Sequence, residues 1–156
     1  MTAARRYYRY HRKYKWAQEC TAGQLTIPVS GGNQTYITIV PDSDSEGIRT
    51  AKNFEISMCS NESTPAGMPW CFYALIYQRN GQNLNQLNVT SGGANMYEPP
   101  QDVITCGTMD FSAGTCVIRS RMARNLYCGD RIVLMVYGSQ NGTTLGYTCR
   151  YSVCFK

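Results

Sequence analysis

What most constrains this chain is its punctuation. Eight short strand-like runs follow one another, each closed by turn-forming residues, and no window sustains a helical period. Gln24–Val29 ends at Ser30-Gly31-Gly32-Asn33, and Gln34–Val40 runs into Pro41-Asp42-Ser43-Asp44. Lys52–Cys59 alternates, with Phe54, Ile56 and Met58 on one face and Glu55 and Ser57 on the other. Trp70–Gln78 is apolar on both faces, the pattern of a central strand covered on both sides. Val103–Phe111, Thr115–Ser120 and Asp130–Tyr137 follow, and Tyr147–Phe155 sets Cys149, Tyr151 and Val153 opposite Arg150 and Ser152. Short strands at this spacing, rich in Val, Ile, Tyr and Thr, predict an all-β sandwich or barrel.

Two connections exceed what a hairpin needs, Pro41–Ala51 and Arg79–Gln101. Loops of about 12 residues or more in a compact domain usually carry contacts or function. The second, long and poor in charge, is expected at a subunit contact. Neither an internal repeat nor a domain boundary follows residue 17, so residues 1–17 are expected to form an arm and 18–156 one domain.

The net charge of +5 hides an asymmetry. Arg5, Arg6, Arg9, Arg12, Lys13 and Lys15 precede the first acid, Glu19, and removing those six cations leaves nine basic side chains against ten acidic ones. A nearly neutral body thus carries a cationic arm, which points to a polyanion as partner of the arm. Tyr7, Tyr8, Tyr10, Tyr14 and Trp16 interleave the cations. Cations neutralise phosphates whatever the base sequence, and aromatic rings offer stacking faces to unpaired bases at roughly 1–3 kcal/mol each. A plain nuclear-localisation or solubility tail is the simpler reading of the same residues, and both can hold. Arg119, Arg121 and Arg124 form a second basic cluster. It reads either as a positive patch beside nucleic acid or as partners of Glu55, Asp102 or Asp110 in ion pairs.

Other chemistries find little footing. Eight cysteines contain no C-x-x-C pair, and the one histidine, His11, lies in the arm, so a zinc site is not expected. The cysteines read mainly as small buried hydrophobes, with one or more disulfides as the other reading. No base stands ready for a Ser or Cys nucleophile, and no phosphate-binding glycine loop exists, so neither an enzyme nor a cofactor is expected. The loop Asp42–Gly47 alternates carboxylates but lacks the remaining ligands of a calcium loop. Sequons at Asn33, Asn61, Asn88 and Asn141 matter only in a secretory compartment. No apolar run approaches the 18 or so residues of a membrane span, and the N-terminus does not read as a signal peptide, so no membrane insertion is expected.

Four segments between Lys52 and Gly138 resemble the capsid (coat) proteins of small circular single-stranded DNA viruses that encode a replication initiator, the circovirus-like group. They are Lys52–Ile56, Trp70–Tyr77, Met96–Ile104 and Ile118–Ile132. That family's pattern reads YEPNQNV before one strand and S-x-x-x-RNLxSGD before another. Here Pro100 and Asp102 replace the two Asn, and Cys128 stands where Ser is common. The resemblance implies a single eight-stranded jelly roll with a basic N-terminal arm. It also implies self-assembly into a closed icosahedral shell of about sixty copies, packaging of circular single-stranded DNA, a place in the virion, and passage through the host nucleus with the arm as import signal. The competing reading is a secreted-type, disulfide-stapled β-sandwich binding module with a basic anchor.

Overall fold

The chain pairs its first strands with its last. In the computed structural model, which describes residues 15–28, 34–60, 70–84, 88–90, 93–95, 102–111, 114–138 and 143–155, every element is a strand. These are β1 (Ala17–Thr26), β2 (Gln34–Val40), β3 (Arg49–Ser60), β4 (Trp70–Gln78), β5 (Asn88–Thr90), β6 (Gly93–Asn95), β7 (Val103–Asp110), β8 (Thr115–Ser120), β9 (Arg124–Leu126), β10 (Arg131–Gly138) and β11 (Thr144–Phe155). Sheet I has the order β1-β11-β3-β8, with β9 continuing alongside β3; sheet II has the order β2-β10-β4-β7. All ladders are antiparallel, and β1/β11, β2/β10, β3/β8 and β4/β7 nest one inside the next. Successive long strands therefore alternate between sheets except at the innermost pair, β4 and β7, which both lie in sheet II; this is a jelly roll.

All eight expected strands are present, but the two sheets hold nine. Twelve-residue β3 outruns β8, which pairs only with Phe54–Cys59, and Arg49–Ala51 is left for β9 to cover. A three-residue strand has no period to read, so β9 escaped the sequence pattern. The long connection Arg79–Gln101 contains a further ribbon, β5 with β6, hidden for the same reason. β1 begins at Ala17 rather than Gln24. Its first half is polar and exposed, and what makes it a strand is backbone pairing with β11, from Ala17 opposite Val153 to Thr26 opposite Thr144.

Between the sheets, alternate residues interlock. Phe54, Ile56 and Met58 of β3 and Ile118 of β8 meet Ile39, Leu75, Ile132 and Leu134 from sheet II, all essentially without exposure. Truncating such a side chain costs about 2–5 kcal/mol, because the lining atoms lose their contacts as well as burial. Sheet II has a second apolar layer on its outer side: Ala74, Ile76, Val133 and Met135 are buried there, with Leu84 packed against them. That layer explains why β4 reads as apolar on both faces. All eight cysteines are free thiols, and Cys71, Cys149 and Cys154 sit buried in strands as small apolar side chains. Burial pushes the Cys71 and Cys149 thiols up to about 12.

Candidate nucleic-acid interface

Sheet I and sheet II differ in charge. The strands of sheet I carry Arg49, Lys52, Arg119, Arg124 and Arg150 against Glu19 and Glu55. Those of sheet II carry only Arg131 and Asp110, each at a strand end. Arg49 is buried, its guanidinium bonded to the Pro41 carbonyl at 2.8 Å, so it serves the fold.

The outer face of sheet I is set by register. Cys20, Arg150, Glu55 and Arg119 form one rank across β1, β11, β3 and β8; Ala22, Thr148, Ser57 and Val117 form the next. On the other side Gln18, Ser152 and Lys52 align. Lys52 and Glu55 are three residues apart and would ordinarily face opposite ways. They share a face because the β3–β11 register shifts between Arg150 and Ser152, and Asn53 there takes φ 56°, a bulge on the β3 side.

Glu55 joins the rank electrostatically. Its Oε2 accepts from Arg150 Nη2 at 2.9 Å and from Arg119 Nε at 3.2 Å. The Arg150 hydrogen bond, with help from Arg119 and against some desolvation, holds the Glu55 carboxyl below the usual carboxylate range. Arg121, just past β8, lines the same shallow basin of about 500 Å³ as Arg119, Arg150 and Glu55. Arg119 therefore takes the ion-pair partner Glu55 that one sequence reading named, and it lies on a face with other cations. Arg124 stands apart on β9, opposite Ala51, and bonds the Ala123 carbonyl at 3.3 Å. Arg150 and Lys52 are members of the face that the sequence reading passed over. The available signal was parity, since Arg150 alternates with the core residues Cys149 and Tyr151.

The arm reaches this face directly. Trp16 lies just before β1, half exposed, and the Lys52 ammonium sits 3.7 Å from its ring centroid, a cation–π contact. Lys15 is exposed. Arg5, Arg6, Tyr7, Tyr8, Arg9, Tyr10, Arg12, Lys13 and Tyr14 lie outside the described residues.

The segment Arg124–Asp130, which carried part of the resemblance, proves to be a structural clamp. Thr50 donates to Asn125 Oδ1 at 2.8 Å, and Leu126 is fully buried. Gly129 has φ 79°, and a Cβ there would collide with the Asn80 side chain. Asp130 is buried and accepts from the Tyr127 amide at 2.8 Å, the Asn80 amide at 3.0 Å and the Tyr77 hydroxyl. Burial works against its charge, but these three donors and the nearby Arg79 outweigh it and hold the carboxyl below its ordinary value. Of the carboxylates weighed earlier, Asp102 pairs with Arg79 at 3.2 Å. Among the described residues no group of three or more His, Cys, Asp or Glu is placed to hold a metal. The loop Asp42–Gly47 is mostly exposed, tied down where the Gly129 amide donates to the Ser43 carbonyl at 3.2 Å.

No family model matches this sequence, and no curated protein matches it by sequence. In structure the chain is similar to the capsid protein of beak and feather disease virus, a circovirus. The decameric form gives a TM-score of 0.50 at 12% identity, over 92% of this chain and 99% of that one. The 60-mer form gives 0.51 at 12% identity, over 92% and 94%. At that identity the likeness establishes the fold.

Proposed function

Since the chain has the fold of a circovirus capsid protein, we propose that it is a viral coat protein, assembling with copies of itself into a closed icosahedral shell and packaging circular single-stranded DNA. The observation that carries this reading is the one-sidedness of charge. The arm joins sheet I at Trp16, on the face that carries Lys52, Arg119, Arg121 and Arg150, while sheet II is almost uncharged. A shell subunit needs that arrangement, with one side turned to a polyanion and the others to neighbours. In this reading residues 1–17 are the packaging arm and the host-nuclear import signal, residues 18–156 are the shell domain, and Arg124 supplements the basic face. The connection Arg79–Gln101 lies at a contact between subunits.

The numbers of the family guide the expected product: the similar capsid protein forms a 60-mer. Electron microscopy of the purified protein should show uniform shells, and nucleic acid extracted from them should be protected from nuclease. A protein that stays monomeric at high concentration and carries no nucleic acid would refute the proposal. A secreted, disulfide-stapled module is the poorer reading, because it requires paired cysteines and all eight are free.

A further inference from the structure

We propose that Glu55 is the resident counter-ion of a phosphate site formed by Arg119 and Arg150, holding both guanidinium groups until the backbone of single-stranded DNA displaces it. The inference rests on the nucleic-acid reading above and deepens it by assigning a built-in competitor to the basic face.

Three observations carry it. First, a single oxygen, Glu55 Oε2, serves both arginines, at 2.9 and 3.2 Å, so two cations share one anion and the trio keeps a net positive charge. Second, the trio is layered. The side chains of Arg119 and Arg150 are 72% and 58% exposed and Glu55 only 27%, so an incoming phosphate meets the arginines before the carboxylate. Third, among the described residues Glu55 is the one acid lining a basin that also carries Arg121 and otherwise offers mostly polar groups such as Gln18 and Ser120.

The three residues sit in one rank on adjacent strands β8, β3 and β11, so backbone pairing fixes their spacing before any ligand arrives. Exposed, solvent-screened ion pairs of this kind contribute little, so a phosphate can replace one. A guanidinium freed from Oε2 can present two parallel N–H donors to phosphate oxygens, a stronger arrangement than sharing one carboxylate oxygen. Glu55 thus preorganises the arginines and, by the same contact, weakens their pull on nucleic acid.

The test uses the full-length protein and an oligothymidylate, with affinity measured by fluorescence anisotropy from about 50 to 200 mM salt. Glu55→Gln keeps the shape of the side chain and removes its charge, and Glu55→Ala serves as a second variant should the first lose its fold. Either should bind about two- to fivefold tighter at low salt, the fold-change equivalent to an exposed ion pair. The slope of log affinity against log salt should steepen by about 0.7, one further phosphate neutralised. Arg150→Gln should cost more affinity in the Glu55→Gln background than in the wild type, since only there is Arg150 unopposed. Equal or weaker binding by both Glu55 variants would overturn the inference while leaving the packaging reading intact. A wild-type protein without salt-dependent binding would overturn both.

Discussion

The two sheets of this jelly roll bury similar inner faces and differ entirely on their outer ones. Sheet II is apolar on both sides: Ala74, Ile76, Val133 and Met135 make a second core layer outside the sandwich. Sheet I ends in a polar rank of Cys20, Arg150, Glu55 and Arg119, bordered by small residues such as Ala22, Ser57 and Thr148. One sheet is finished by more protein, the other by charge. The difference teaches that a fold of low charge can still be strongly polarised, because strand parity sorts a few cations to one side.

The largest test of this contrast is to put the same charge on both outer faces. Val133→Asp places an unpaired carboxylate in the second apolar layer and should cost at least about 4 kcal/mol, enough to prevent folding in a marginal domain. Thr148→Asp, on the exposed rank of sheet I, should change stability by no more than about 0.5 kcal/mol. Chemical denaturation of both variants checks the pair, and equal costs would dissolve the distinction between the faces.

Next in size is the Asp130 clamp, which ties the turn before β10 in sheet II to the end of β4. Removing its charge in Asp130→Asn should cost about 2–4 kcal/mol, since buried donors lose an ionised acceptor. Its carboxyl is held below the ordinary value of 3.8 in the folded protein. Its contribution to stability is therefore complete above that pH and is lost as pH falls through the folded-state value. Melting temperature against pH should show an acid-side decline in the wild type that is shallower in Asp130→Asn.

On the charged side, deleting residues 1–14 removes Arg5, Arg6, Arg9, Arg12 and Lys13 while keeping Trp16 on Lys52. The salt slope for single-stranded DNA should flatten by roughly 3 to 4, at about 0.7 per phosphate, and the body should melt unchanged. An unaltered slope would shift the packaging role to the face of sheet I alone. A small effect is expected at Trp16→Ala, where loss of the cation–π contact should cost about 0.5–1 kcal/mol.

Most of the architecture was legible because strand parity is written in side chains. Phe54, Ile56 and Met58 could be read as inward, and they are. What escaped was set by pairing rather than by pattern. The largely polar run from Ala17 to Gly23 is a strand only because β11 lies beside it, and β9 exists because β3 is longer than β8. The candidate site divides similarly. Arg119 and Arg121 were visible as a cluster in the chain, but Arg150 and Lys52 join them only through the ladder and the Asn53 bulge. Asp130 read as the first residue of a strand, and nothing local announces that Tyr77 and Asn80 converge on it.

The nesting of first strand on last has a consequence for synthesis. The rank on sheet I is drawn from positions 20, 55, 119 and 150, and β1 has no sheet partner in its ladder until β11 exists. On the ribosome, a chain not yet extended through β11 has neither Arg150 nor the strand that separates β1 from β3. Trp16 and Lys52 are already made, yet the strand that joins β1 to β3 is missing. Because such distant pairing is slow to form and leaves open edges meanwhile, the basic face can mature only once β11 has been made. Under the proposed function, translation would thereby separate an interval in which the arm acts alone from one in which arm and face act together.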